Sequence, residues 1–399
     1  MRILLVTHRF AGEEAGGTEI LADDLARALI ARGLDVAWLA AGDPPSPQLR
    51  TAAEYISVPA VFARDYPAGW QVQEDQQAAL IEQLLASRPA VDLVHVLHFS
   101  RIGLAFLDTA PLRNVPVVAT LTDYTTVCPD HQLLVRSTGG QCTSTTPSTG
   151  CLGCLGAPTA AAGDVESWRA RNVVWLNRRV RALWTQTPHQ AVELAKAGVA
   201  MDKMVRDQAC YGLPDSWQSL AENSGGGEYL LFLGRCSPEK GLHVLLDALA
   251  HNPTTLPLLV ATVPDDAAYE ERMRLVAAAD PRVRWLPPLS RSDVGPVLAG
   301  AWALLVPSQW WENHPIVAHE ARALGVPVWS SAVSSMRHLA DDEGVHLVEQ
   351  YADPASWRQA IDAAAGYQEL RVPSFGRRAS AFEAFVDEMV SVYRKEAIR

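Results

Sequence analysis

The chain states one pattern twice. Ile3 to Thr7 is a short apolar run, followed by a polar loop from His8 to Gly17 and a helix-period stretch from Thr18 to Arg32. Gly33 stops that helix, and Leu34 to Ala40 is apolar again. Past the middle, Tyr229 to Gly234 is apolar, Arg235 to Gly241 is a loop, Leu242 to Ala250 has helical periodicity and Leu256 to Thr262 is apolar. Short apolar runs bounded by turn residues suit strands buried on both faces of a parallel sheet. Each half is therefore predicted to open with a βαβ unit of the doubly wound kind. Neither loop carries G-x-G-x-x-G, so dinucleotide binding is not indicated.

Further runs extend both halves. In the first, Gln71 to Ser87 is predicted helical, and Leu93 to Leu97 and Val115 to Thr120 are strands. Trp168 to Trp184 reads as helix running into strand, His189 to Ala197 as a short helix and Met204 to Ala209 as a strand. In the second, Tyr269 to Ala279 and Asp293 to Ala299 are helical, Val283 to Leu286 and Ala301 to Val306 strands. Ser216 to Glu228, with Ser224-Gly225-Gly226-Gly227, has the composition of a flexible linker. The expected α/β fold is thus two Rossmann-like domains, residues 1–215 and 228–372. The chain closes with helices at Asp353 to Tyr367 and 375–399. A length of 399 residues accommodates two domains.

The most informative stretch follows Val306: W-W-E-N-H-P-I-V-A-H-E-A-R-A-L-G from Trp310 to Gly325. Pro315 stands where a first helical residue would, and Gly325 where a left-handed cap would. The free N–H groups of a helix start attract anions. Glu312 just before it and Glu320 in its early turns suit a ligand carrying both phosphate and hydroxyls. Arg235 and Lys240, in a strand-to-helix loop, suit a diphosphate: one by its fork, the other as a point charge. Gly16-Gly17 reads either as a tight turn packed on the sheet or as backbone brought close to a phosphate. His95 and His98, near a strand end, read as packed histidines. Arg169, Arg171, Arg178, Arg179 and Arg181 read as a solvated face, with an anionic acceptor or a lipid surface as the other reading.

The segment 122–164 is long, irregular and rich in Gly, Ser, Thr and Pro, and holds Cys128, Cys142, Cys151 and Cys154. The last two form C-x-x-C, whose bite suits zinc. A structural zinc on the four thiols is expected, with free or redox thiols, or another metal or cluster, as the other outcomes. Cys210 and Cys236 read as core residues. A net charge of -11 excludes a general nucleic-acid binder. No apolar run reaches the roughly 18 residues of a membrane span, and Met1 to Val6 is not a secretory signal, so a cytoplasmic protein is expected.

Taken together, Gly234-Arg235, Lys240-Gly241 and E-N-H-P-I-V-A-H-E-A resemble the donor site of glycosyltransferase family 4, retaining enzymes of the GT-B fold. G-G-T-E at Gly16 to Glu19 and T-D-Y at Thr122 to Tyr124 resemble the family's first domain. The resemblance implies two sheets facing a central cleft. Arg235 and Lys240 would hold the donor diphosphate, and Glu320 would bind the ribose. Glu312 would contact donor-sugar hydroxyls and support the cationic anomeric centre. The backbone of Asn313, His314, Pro315 and Ile316 would touch sugar or phosphate, with Gly234, Gly16 and Gly17 letting backbone approach the diphosphate. Asp123 and Tyr124 would lie on the acceptor side, and the final helix would return to the first domain.

The implied function is sugar transfer from a nucleotide-diphosphate sugar to a hydroxyl acceptor: a saccharide, a lipid-linked saccharide or a small molecule. No Asp-x-Asp motif occurs, so the expected catalysis uses no metal. Peripheral membrane contact is compatible with it. A GT-B epimerase or hydrolase, or a non-catalytic nucleotide-sugar binder, are the other readings. Family members often carry His-Asp where this chain has Thr122-Asp123, and that His usually touches the donor sugar. His98 or His131 are the side chains that could substitute. The cysteine-bearing insert resembles one found in a subset of the family.

Overall fold

The buried apolar runs do become parallel strands. The computed structural model describes residues 1–12, 16–52, 54–60, 70–135, 139–155, 162–206, 210–222, 227–340, 344–367 and 371–398. Two compact units emerge, Met1–Gly212 with Ala381–Arg399, and Leu213–Ser380. In the first, β1 (Arg2–Val6), β2 (Asp35–Ala41), β3 (Glu54–Val58), β4 (Leu93–Val96) and β5 (Val117–Leu121) join β8 (Val180–Thr185) and β9 (Met204–Arg206). Their order is β3-β2-β1-β4-β5-β8-β9. A two-stranded hairpin, β6 (Leu134–Val135) and β7 (Gly140–Gln141), lies apart. In the second unit β10 (Tyr229–Cys236), β11 (Leu258–Pro264), β12 (Val283–Trp285), β13 (Ala301–Val306), β14 (Val328–Ser331) and β15 (Val345–Val348) line up as β12-β11-β10-β13-β14-β15. Every pairing within these two sheets is parallel.

Both orders reverse direction beside the first strand, between β1 and β4 and between β10 and β13. Loops leaving the carboxyl ends at such a point diverge to opposite faces and leave a crevice for ligand. The cores are built as buried strands require. Ile3, Leu5, Leu93 and Val118 pack with Leu21, Leu25 and Leu29 of the helix Gly17–Ala31 in the first unit. The final helix, Phe375–Ile398, adds Phe382, Phe385, Val386, Met389, Val390 and Tyr393 to that same core. His95, on β4, is fully buried and bonds Tyr393 through Nδ1 and Thr120 through Nε2. Burial pushes its pKa down to about 3, so it is a neutral packing residue.

Several expectations needed correction. Ser216 to Glu222 is not linker: Asp215–Trp217 and Gln218–Glu222 are helical turns, and Trp217 is 1% exposed. A buried indole outweighs the polar composition around it. Of the glycine run, 223–226 lie outside the described residues, as do 207–209 of the strand expected from Met204. The segment 122–164 contains the helix Ser148–Leu155, built from poor helix formers that bury Leu152 and Leu155. Among the described residues no helix is long and apolar enough to cross a membrane.

Candidate functional site

In the second unit the sequence motifs converge on the carboxyl ends of β10 and β13. Gly241 has φ +75, and a Cβ there would lie 1.8 Å from the Pro307 carbonyl oxygen. Glycine is therefore required for the Lys240 loop to touch the loop after β13, and Gln309 N–H donates to Glu239 O at 2.8 Å across that junction. The contact brings Lys240 Nζ to 2.5 Å from Glu312 Oε1. Ser308 Oγ donates to the same oxygen at 2.6 Å. Lys240 also stands 5.2 Å from the centroid of the Trp310 ring, within cation–π range. Burial alone would push the Glu312 carboxyl up. Lys240, Ser308 and Trp310 reverse this and hold it below the usual carboxylate range.

Arg235 is also matched, by Asp265 at 2.6 Å and Glu239 at 2.9 Å. Glu320, 3% exposed, is gripped by Arg291 Nη1, whose guanidinium lies 4.9 Å from the centroid of the Trp217 ring. The helix Ile316–Ala323 begins after Pro315, with no side-chain cap, so its first N–H groups are available to an anion. Asn313 is buried. His314 stacks on His319 with ring centroids 3.9 Å apart and planes 3° apart. Arg378 Nη1 donates to His319 Nδ1 at 2.8 Å, which fixes the buried His319 as the neutral Nε2–H tautomer. No Cβ contact would obstruct a residue at Gly234. Thus each motif cation already faces a carboxylate, and an anionic ligand would exchange partners rather than meet bare charge.

In the first unit the carboxyl ends of β1, β4 and β5 carry a different cluster. Gly16 N–H donates to Glu19 Oε2 at 2.8 Å at the start of the helix that Gly17 opens. Glu19, 1% exposed, accepts from His8 Nε2 and Arg9 Nε, both at 3.0 Å. Burial would raise its pKa, but His8 and Arg9 hold it well below the usual range. The His8 and His98 rings lie 4.1 Å apart. Ser100 N–H donates to His98 Nδ1 at 3.2 Å, so Nε2 bears the proton and donates it to Asp123 Oδ2 at 2.5 Å. Thr125 N–H donates to Asp123 Oδ1 at 2.8 Å, and Thr125 Oγ1 bridges His98 Nε2 and His131 Nδ1. Burial would raise the Asp123 pKa too; His98, His131 and Thr125 bring it well below the usual range.

His131 has φ 66, a strained setting for a residue with a side chain. Thr122 Oγ1 accepts from Thr18 Oγ1 at 2.7 Å and donates to Leu97 O, so the threonine at the expected histidine position is a structural tie. Tyr124 is 0% exposed and packs edge-on to His189. It is placed as a core residue, whereas Asp123 keeps partial exposure.

Cys142 and Cys154 gather near Cys151, but among the described residues no three cysteine sulfurs lie within 4.8 Å of one another. His98, Asp123 and His131 are the group of three metal-capable side chains within 4.8 Å of one another among the described residues. Tetrahedral zinc needs sulfurs about 3.8 Å apart. Burial pushes the Cys128 thiol up to about 12, with backbone N–H groups of Leu133, Asp130 and Gln132 around it. Cys151 has Cys142 and Cys154 as electrostatic neighbours and accepts from Arg169 Nη2 at 3.0 Å. As placed, the thiols do not fit a four-sulfur zinc site. The His98 group does not fit a metal either, because the proton on Nε2 occupies its ligand position.

Arg291, Asp265, Glu239 and Ser308 escaped sequence reasoning, as did the roles of His8, Arg9 and Glu19. The E of G-G-T-E was the one sequence signal for the last group.

Comparison with known proteins agrees with this layout. The family model Glycosyltransferase Family 4 matches residues 15–205, and Glycosyl transferases group 1 matches 218–372. A D-inositol 3-phosphate glycosyltransferase of Mycolicibacterium smegmatis is 30% identical over 242 residues, 57% of this chain and 52% of that protein. The matches span 32% to 52% of the length of such curated relatives. Among solved structures, a sucrose-phosphate synthase from Thermosynechococcus elongatus has TM-score 0.69 at 20% identity, covering 99% of this chain and 98% of that one. Anabaena HepE, solved with UDP and glucose, has TM-score 0.66 at 14% identity, covering 98% and 99%. These likenesses fix the fold as GT-B, with two Rossmann-like domains.

Proposed function

From a chain that carries a glycosyltransferase family 4 domain followed by a glycosyl transferases group 1 domain, we infer a retaining glycosyltransferase. It moves a sugar from a nucleotide-diphosphate sugar to a hydroxyl acceptor. The observation that carries this reading is the Lys240–Glu312 pair beside Arg235 and the helix start at Ile316. Donor diphosphate takes over Lys240 and Arg235 from their carboxylates. These cations then stabilise the charge that grows on the leaving phosphate, as preorganised groups do. Released from Lys240, Glu312 turns its charge toward the sugar hydroxyls and the cationic anomeric centre. Glu320, oriented by Arg291, accepts from the ribose hydroxyls.

The donor C1–O bond breaks toward the diphosphate while the acceptor oxygen bonds C1 on the same face. The acceptor proton passes to the departing phosphate oxygen, so configuration is retained. The two cations and the helix N–H groups supply the positive charge in this mechanism, which needs no metal. Asp123, held ionised by His98 and His131, serves the acceptor side.

HepE was solved with UDP and glucose, which makes UDP-sugars the first donors to test. A thermal-shift screen of UDP, GDP, ADP, dTDP and CDP and their sugar conjugates should show one nucleotide series raising the melting temperature. Ligand at 100 times its dissociation constant adds about 2.7 kcal/mol. The shift should vanish in Lys240→Ala. The absence of any shift in the wild-type protein would sink the donor-site reading.

A further inference from the structure

The amino ends of β5 and β8 lie at the end of the first sheet opposite His98 and Asp123. There a pocket of about 510 Å³ opens. Its walls gather Arg113 from the turn before β5, Arg178 and Arg179 from the end of the helix Ala162–Arg179, Arg181 from β8 and Lys203 from the turn before β9. Glu396, from the final helix, is the carboxylate in the wall.

Three of the cations are pinned. Arg179 donates to Leu107 O, Leu112 O and Asp108 Oδ1 at 2.6, 3.0 and 2.8 Å. Arg181 donates to Glu396 O at 3.0 Å, and Lys203 to Asn177 O. Arg113 and Arg178 are exposed and, among the described residues, neither side chain has a hydrogen-bond, ion-pair or ring partner. Five cations thus face Glu396 and the Asp108 that Arg179 holds, in a chain whose net charge is -11.

Gathering like charges raises the local potential and concentrates anions. The unengaged guanidinium forks of Arg113 and Arg178 match the oxygens of phosphate, and the pinned cations add positive charge beside them. The volume falls in the roughly 300–1,000 Å³ range of small-molecule sites, larger than orthophosphate needs. We propose that this pocket is a second anion site, binding the phosphate or diphosphate group of a ligand independently of Arg235 and Lys240. It does not rest on the glycosyl-transfer reading.

The test removes the competing donor cations first. In an Arg235→Ala/Lys240→Ala background, calorimetry with inorganic diphosphate should detect binding. Adding Arg113→Glu/Arg178→Glu should weaken it tenfold or more, with the melting temperature unchanged. If charge reversal disturbs folding, Arg113→Gln/Arg178→Gln carries the same comparison. Co-sedimentation with vesicles of phosphatidylcholine alone, or with phosphatidylglycerol added, identifies the source. Capture only by the anionic vesicles, lost in the same variant, means a lipid headgroup. Diphosphate binding without vesicle capture means a free phosphorylated compound. If the Arg235→Ala/Lys240→Ala protein binds neither diphosphate nor anionic vesicles, or the pocket variant binds equally well, the proposal is wrong.

Discussion

The two crevices at the carboxyl ends of the sheets solve the same problem with different partners. In the second unit, the buried carboxylates Glu312 and Glu320 face Lys240 and Arg291. In the first, Glu19 and Asp123 face His8 and His98, with Arg9 adding a charge to Glu19. Lysine and arginine keep their charge across the whole working pH range, whereas histidine answers a carboxylate mainly through a hydrogen bond. In the second unit an arriving anion would exchange one full charge for another. In the first, the histidines hold and orient protons.

Breaking the strongest pair should have the largest effect. Lys240→Ala removes a charge stabiliser and leaves Glu312 buried without its cation. Turnover should fall by roughly 10²- to 10³-fold, measured as sugar transfer at saturating donor. Near wild-type turnover would mean that the pair is structural.

The next test contrasts the pH response of the two units. Glu74, on the helix Trp70–Ala86 of the first unit, is 7% exposed, and burial pushes its pKa up to about 7, with Arg171 opposing and Asp75 assisting. A carboxyl with a raised folded pKa costs nothing below its unfolded value near 4.5 and destabilises progressively as pH rises toward 7 and beyond. Glu74→Gln should remove a cost of about 2–3 kcal/mol at pH 8 and change little at pH 4. Glu312 has the opposite sign. Its depressed pKa contributes stability above the unfolded value, lost only as pH falls through the lower folded one. Glu19 and Asp123 of the first unit share the sign of Glu312, so hydrogen exchange should show both units loosening on the acid side and the first alone loosening between about pH 5 and 8. Identical profiles over that upper range would remove the distinction.

A subtler probe is Arg291→Ala, which frees Glu320 without touching Lys240. KM for the nucleotide donor should rise by roughly tenfold while kcat changes less, since uniform binding is lost rather than transition-state stabilisation. A fall in kcat alone would assign Arg291 to the chemistry. Smallest of all, the thiols should behave as thiols. Half-buried Cys142 and Cys154 should react with a thiol reagent before buried Cys128 and Cys151. Zinc content should stay well below one per chain; one tightly held ion would show that the segment rearranges around metal.

Local chemistry carried much of this into the sequence. K-G at Lys240-Gly241 and the spaced glutamates of Glu312 to Glu320 are written in the order in which loops leave β10 and β13, so their combination, and the family resemblance it carries, was legible. The strand Glu54–Val58 was not legible, because Glu54, Tyr55 and Ser57 blur its apolar signal, and it stands at the sheet edge. Trp217 hid in a polar stretch that composition assigns to linker. Thr122 stood where a histidine was expected, and nothing local said that Thr18 would claim its hydroxyl.

The sequence by itself determined two parallel doubly wound sheets and which charged side chains stand on the loops that leave β10 and β13. Apolar runs, glycine stops and helix starts are local properties, readable from neighbours in the chain. Only the tertiary structure decided which charge answers which. Arg291 meets Glu320, Arg235 meets Asp265, and His98 meets Asp123 across separate crossovers that sheet order alone brings side by side. Electrostatic pairing falls off over a few ångströms of space. Distance along the chain does not encode it.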